Sequence, residues 1–142
     1  MQLVTVNSIR DGVIQALKTN FPALDVWGEE IEQGFDEPCF FVKLLNVGNT
    51  RELGRRFRRT HSFDIHYFPD GQNNRNAHDM AEALYALLLT IEVDGETYYT
   101  TGANHDVTDN VLHFFLDIDF IVTLPSPNDP KMQSLDERSW IK

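Results

Sequence analysis

From Leu112 to Leu124 every second residue is large and apolar: Leu112, Phe114, Leu116, Ile118, Phe120, Val122 and Leu124. A period of two places all seven on one side of a strand, and His113, Asp117 and Asp119 on the other side leave that face at least partly wet. At about 3.3 Å per residue the strand is roughly 43 Å long. A compact chain of 142 residues has a diameter of only roughly 37 Å. The strand must therefore span the body or project from it, and it must coil, carry a bulge or lend its end to a neighbour.

The same periodicity argument assigns the other elements. Asn7 can cap a helix in which Ile9, Val13, Ala16 and Leu17 recur at helical spacing, and Asn20 with Pro22 ends it. A short extended piece, residues 24–28, leads into an acidic, glycine-containing loop, residues 29–37. Residues 39–47 read as a central strand, with Phe41, Leu45 and Val47 on one side and Phe40, Val42 and Leu44 on the other. Residues 60–68 read as a second strand, with His61, Phe63, Ile65 and Tyr67 facing away from Ser62, Asp64 and His66. After a loop over residues 69–76, Met80, Leu84, Leu87, Leu88 and Ile91 define a second amphipathic helix. Asp94-Gly95 marks a tight turn, residues 97–107 a Thr/Tyr-rich strand, and Asp109-Asn110 the turn into the last strand.

The resulting order is α, short β, β, β, α, β, β. It predicts an α+β fold: a mostly antiparallel mixed sheet with two helices packed on one face and a long C-terminal β-hairpin. Residues 1–124 are expected to form a single domain. Beyond them Pro125, Pro127 and Pro130 crowd together, so residues 125–142 read as a Pro-rich arm ending in an amphiphilic segment with Met132, Leu135, Trp140 and Ile141.

Charge is unevenly placed. The chain has 12 Lys and Arg against 22 Asp and Glu, a formal charge of −10, which argues against a protein that binds DNA or an anionic membrane with its whole surface. Yet Arg51, Arg55, Arg56, Arg58 and Arg59 lie within nine residues; with Glu52 the segment carries +4, and the rest of the chain −14. Guanidinium groups fork onto phosphates or carboxylates, so this segment between two strands suits nucleic acid, an acidic protein surface, or the protein's own acidic loop. No zinc finger, helix-turn-helix or RNA-recognition motif accompanies it, so base-specific reading is not expected. A basic patch on an acidic body also draws like copies together. Such a contact is heterologous, and its repetition closes a ring or grows a filament.

Catalytic chemistry finds little support. Cys39, the single cysteine, excludes an internal disulfide and a thiolate zinc cluster, fits a reducing compartment, and lies before two phenylalanines where an inert buried thiol is expected. Ser62 has no flanking glycines of a nucleophile elbow, and Gly-rich phosphate loops are absent. Trp27 reads as a core or interface anchor. His61, Asp64 and His66, with His105, His113, Asp117 and Asp119, invite a metal hypothesis. Parity sets His61 apart from Asp64 and His66, and Asp64, His66, Asp117 and Asp119 converge only in one strand register. Polar residues on an open sheet face are the expectation, with no metal, no cofactor and no enzymatic activity. The N-terminal MQLVTVNSIRDG has no basic region before a long apolar run, so no signal peptide is expected, and residues 80–91 are too short and too polar to span a bilayer.

Three segments carry a family likeness: Val26-Trp-Gly-Glu-Glu-Ile-Glu-Gln-Gly-Phe-Asp-Glu-Pro-Cys-Phe-Phe-Val-Lys-Leu44; Glu52-Leu-Gly-Arg-Arg56 running into His61-Ser-Phe-Asp-Ile-His-Tyr-Phe68; and Val111-Leu-His-Phe-Phe-Leu-Asp-Ile-Asp-Phe120. Together they resemble the small tail terminator proteins of phages and phage-derived prophage elements, notably contractile-tailed systems of Gram-positive bacteria. The likeness covers most of residues 3–124, with Asp129-Pro-Lys-Met132 also similar. The resemblance implies a structural virion protein whose sheet is flanked by helices. Six copies would form a ring on the head-proximal end of the tail tube, stop its polymerisation, and offer a docking surface to the connector or head-completion protein. The implied partners are further copies of the chain, the tail-tube protein, the sheath protein and the head connector, with DNA only passing through the lumen and no membrane. The implied location is the virion tail, and the host cytoplasm during assembly. Arg51, Arg55, Arg56, Arg58 and Arg59, with Met132, Leu135 and Trp140 of the arm, are the expected interface residues; a nucleic-acid-binding accessory protein using the 51–59 hairpin is the alternative.

Overall fold

A computed structural model describes residues 4–28, 37–71 and 74–124. Helix α1 (Val6–Asn20) is followed by strands β1 (Asp25–Trp27), β2 (Cys39–Leu53) and β3 (Arg56–Phe68), helix α2 (Asn74–Leu87), and strands β4 (Thr90–Val93), β5 (Glu96–Thr108) and β6 (Val111–Thr123). The strands form a 6-stranded sheet in the order β1-β2-β3-β6-β5-β4. Only β1 and β2 run parallel; every other neighbouring pair is antiparallel. The expected α+β architecture is present. The arm, residues 125–142, and most of the acidic loop lie outside the described residues.

One face of the sheet carries the core. Phe40, Val42, Phe63, Ile65, Leu112, Phe114, Leu116 and Ile118 project towards Ile9, Val13 and Leu17 of α1 and Ala77, Ala81 and Leu84 of α2, all of them buried. Both helices thus cover the same face, because each has a single apolar stripe and the alternating strands offer one apolar side. Each large aliphatic or aromatic side chain so buried contributes about 1.5–3 kcal/mol relative to exposure.

Four boundaries differ from the sequence reading, each for a local reason. Thr5, not Asn7, caps α1: its hydroxyl accepts from the Ser8 amide at 3.1 Å, and Ser8 Oγ reciprocates by accepting from the Thr5 amide at 3.4 Å. Asn7 would have Arg10 at the reciprocal position, which has no acceptor to return. Helix α2 stops at Leu87, and Ile91 belongs to β4, because the Asp94-Gly95 turn, with φ of 54° and 81°, needs a strand on each side. The extra strand buries Ile91 and Val93, against α1. There a Cβ added to Gly12 would lie 2.8 Å from Val93 Cγ2, so the helix approaches as only glycine permits.

Third, β2 is bulged between Leu44 and Asn46. The extra residue, Leu45, is 48% exposed, and the bulge returns Val47 to the parity of Phe40 and Val42, opposite His61, instead of that of Phe41. Fourth, β2 and β3 run beyond the expected limits, to a two-residue turn at Gly54-Arg55. Gly54 has φ of 60°, the positive value that a two-residue hairpin of type II′ requires at its first turn position. The last strand keeps unbroken register with β3 from Leu112 to Thr123. After Ile118 it has no β5 partner, so its last residues lie in a three-stranded extension of β2, β3 and β6.

Candidate functional site

The extension ends in the arginine hairpin. All five arginines are placed by β-structure rather than by a loop: Arg51 on β2, Arg55 in the turn, and Arg56, Arg58 and Arg59 on β3. Arg51 donates to the Gly54 carbonyl and lies 4.9 Å over the Phe57 ring. Arg55 donates to the Leu124 carbonyl, while the Leu124 amide returns a bond to the Arg55 carbonyl at 2.9 Å, tying the tip to the end of β6. Arg58 Nε pairs with Glu52 at 2.8 Å, and Arg59 Nε donates to Asn49 at 3.4 Å. Among the described residues, Glu52 is the only carboxylate in ion-pair reach of the five, and the exposed Arg56 side chain makes no hydrogen bond or ion pair with them. The tip also bears Leu53, 74% exposed. It is a cationic, partly apolar prominence with spare hydrogen-bond donors. Met132, Leu135 and Trp140, the other expected interface residues, lie outside the described residues.

On the sheet face away from both helices, register gathers a second group. Asp64 and His66 share a side of β3, and His66 stands directly opposite His113 of β6. His66 Nε2 lies 2.8 Å and His113 Nδ1 3.2 Å from the same Asp64 oxygen, Oδ2. Asp64 is 7% exposed, and its Oδ1 is buried without a partner. Burial pushes its carboxyl pKa up, but the hydrogen bonds and charge of His66 and His113 outweigh that and hold it below the ordinary carboxylate value. Aromatic rings line the group: Phe68 meets His66 edge-on at 6.3 Å, and Phe115 stacks with His113 at 6.3 Å. Trp27 continues the row by stacking with Phe41 at 6.4 Å.

The other candidates disperse. Asp117 accepts from Ser62 at 2.9 Å and Asp119 stands opposite Thr60, so neither joins Asp64. Cys39 is buried. His61 is buried on the core side, its Nδ1 3.3 Å from the Ile118 carbonyl. His105 contacts Tyr85 at 2.8 Å and His78 at 3.1 Å, on the α2 side. Sequence parity foresaw that Asp64 and His66 share a face; that His113, and not Asp117 or Asp119, completes the group follows only from the β3–β6 register.

Comparison with known proteins decides the family. The model of the phage tail terminator protein family matches residues 8–130, a span containing the whole sheet and the arginine tip. The chain belongs to that family. Its family is a structural component of phage tails, whose members interact with other tail proteins, and the chain is accordingly a virion tail component. No curated protein matches. A solved structure without a functional description is similar at 19% identity with a TM-score of 0.52, over 86% of this chain and 99% of that one; it shows that the terminator's fold recurs. No helix among the described residues of the chain is long and apolar enough to cross a membrane.

Proposed function

We propose that this tail terminator family member assembles as a ring, a hexamer, on the head-proximal end of the tail tube, stops tube polymerisation, and presents the docking surface for the head connector. The observation that carries the reading is the arginine hairpin, where five guanidinium groups have, among the described residues, one carboxylate in ion-pair reach. A body of charge −14 supplies carboxylates on each neighbouring copy, and exposed Leu53 gives the tip an apolar anchor of the kind interfaces desolvate. Arg51, Arg55, Arg56, Arg58 and Arg59 make the subunit or tube contact, and Met132, Leu135 and Trp140 of the arm add apolar contact. The family match supports the tail end as the place of action.

The test is mass in solution by light scattering, for the protein alone and mixed with tail-tube protein, followed by electron microscopy of tube ends. A ring or a capped tube of limited length is expected in the mixture. A chain that stays monomeric with the tube protein and leaves tube length unlimited would count decisively against the proposal.

A further inference from the structure

We infer that Asp64, His66 and His113 form a binding site for a divalent transition cation of the zinc class, clamping β3 to β6 on the helix-free face of the sheet. The inference does not rest on ring formation or on the arginine hairpin.

Three observations carry it. First, the donor set is two imidazole nitrogens and one carboxylate oxygen, whose ligand atoms all lie within 4.8 Å of one another. In a tetrahedral shell with bonds of about 2.0–2.1 Å, neighbouring ligand atoms stand about 3.3 Å apart. The separations from Asp64 Oδ2, 2.8 Å to His66 Nε2 and 3.2 Å to His113 Nδ1, are close to that edge, and the two imidazole nitrogens lie within 4.8 Å of each other. Imidazole with carboxylate favours zinc and its first-row neighbours over magnesium or calcium, which prefer all-oxygen shells.

Second, hydrogen bonding alone leaves the group incompletely satisfied. With both rings donating to Oδ2, Asp64 Oδ1 remains buried and unpartnered, a cost of about 1–3 kcal/mol for a neutral acceptor and more for a charged one. Lys43 stands opposite Asp64 across β2 and β3, but it is exposed and makes no ion pair with it. A cation among the three ligands attracts both carboxylate oxygens. Third, the ligands come from adjacent strands at fixed register, with Phe68 beside the His66 ring and Phe115 beside the His113 ring. That is the arrangement a preorganised site needs. Three protein ligands leave one position for water.

The full-length protein, stripped with chelator and dialysed, is titrated with cobalt(II) chloride, and the visible d–d absorption is recorded. Zinc chloride is then added to displace it. Wild type is expected to show an intense band with one-to-one stoichiometry, abolished by zinc, and a thermal midpoint raised by zinc but not by magnesium at the same concentration. His113→Gln and His66→Gln are expected to weaken binding at least tenfold, as losing a ligand should cost more than losing a group that only hydrogen-bonds to one. His105→Gln, at the separate His78–His105 pair, should leave the band intact. Absence of the band and of the zinc shift in wild type overturns the proposal, and that result needs no variant to fold. So does a band that survives both substitutions at the cluster, or one that disappears with His105→Gln.

Discussion

Gly12 shows how one position sets the spacing of two elements. Alanine is the better helix former by about 1 kcal/mol, yet the added methyl would meet Val93 Cγ2 at 2.8 Å and the Glu92 carbonyl at 3.2 Å. Overpacking wins: Gly12→Ala is expected to destabilise the fold by about 1–3 kcal/mol, read as a lower urea midpoint with an unchanged slope. His61 supplies a pH dependence. Burial lowers its pKa below the ordinary 6.5, the bond to the Ile118 carbonyl opposes this, Arg59 adds to it and Asp119 opposes it. The unfolded chain therefore binds the proton first as pH falls, so stability is full above 6.5 and is lost progressively below it, towards the folded-state pKa. Denaturation of His61→Phe across that range should show a flatter pH profile than wild type, whatever its absolute stability.

At the scale of elements, the cap of α1 bears on stability and the arginine hairpin on the proposed assembly. Thr5→Ala removes the hydroxyl that receives the Ser8 amide and should cost about 0.5–2 kcal/mol, visible by thermal denaturation. The hairpin should behave in the opposite way. Among the described residues its one internal ion pair, Arg58 with Glu52, is exposed on both sides and is worth about 0–1 kcal/mol. Replacing Arg51, Arg55, Arg56, Arg58 and Arg59 by Gln should thus leave the unfolding midpoint within a few degrees of wild type. On the proposed function, the same variant should fail to cap tubes in the assay that wild type passes. Intact capping by a folded variant would remove the electrostatic mechanism while leaving family membership untouched.

For the whole molecule, a +4 segment on a −14 body would, on the proposed function, make association a contact between unlike surfaces of identical copies, the type that closes into rings. Exposed charges are screened beyond about 10 Å at 0.1 M salt. Assembly with the tube protein should accordingly weaken as salt rises, with a slower association rate as the first sign, measured by stopped-flow light scattering. Folding, which depends on the apolar sheet face and two helices, should be insensitive over the same range.

Periodicity in the sequence determined the class of fold, both helices, the Asp94-Gly95 and Asp109-Asn110 turns and the inward side of β6, since these depend on which neighbours a residue has along the chain. It also placed the arginines together and Asp64 beside His66, which are facts of spacing. Tertiary structure alone decided the rest. Strand pairing turned residues 56–59 from a connecting loop into β3, a bulge at Leu45 reversed the side of Val47, pairing of β4 with β5 across the Asp94-Gly95 turn drew Ile91 out of the helix, and the register of β3 on β6 chose His113 as the partner of His66. Register shifted by one residue would have left every local pattern intact and carried His113 to the opposite face; that choice is made by the summed burial of Phe63, Ile65, Leu112, Phe114 and Leu116 beneath the helices, and no short stretch of sequence contains it.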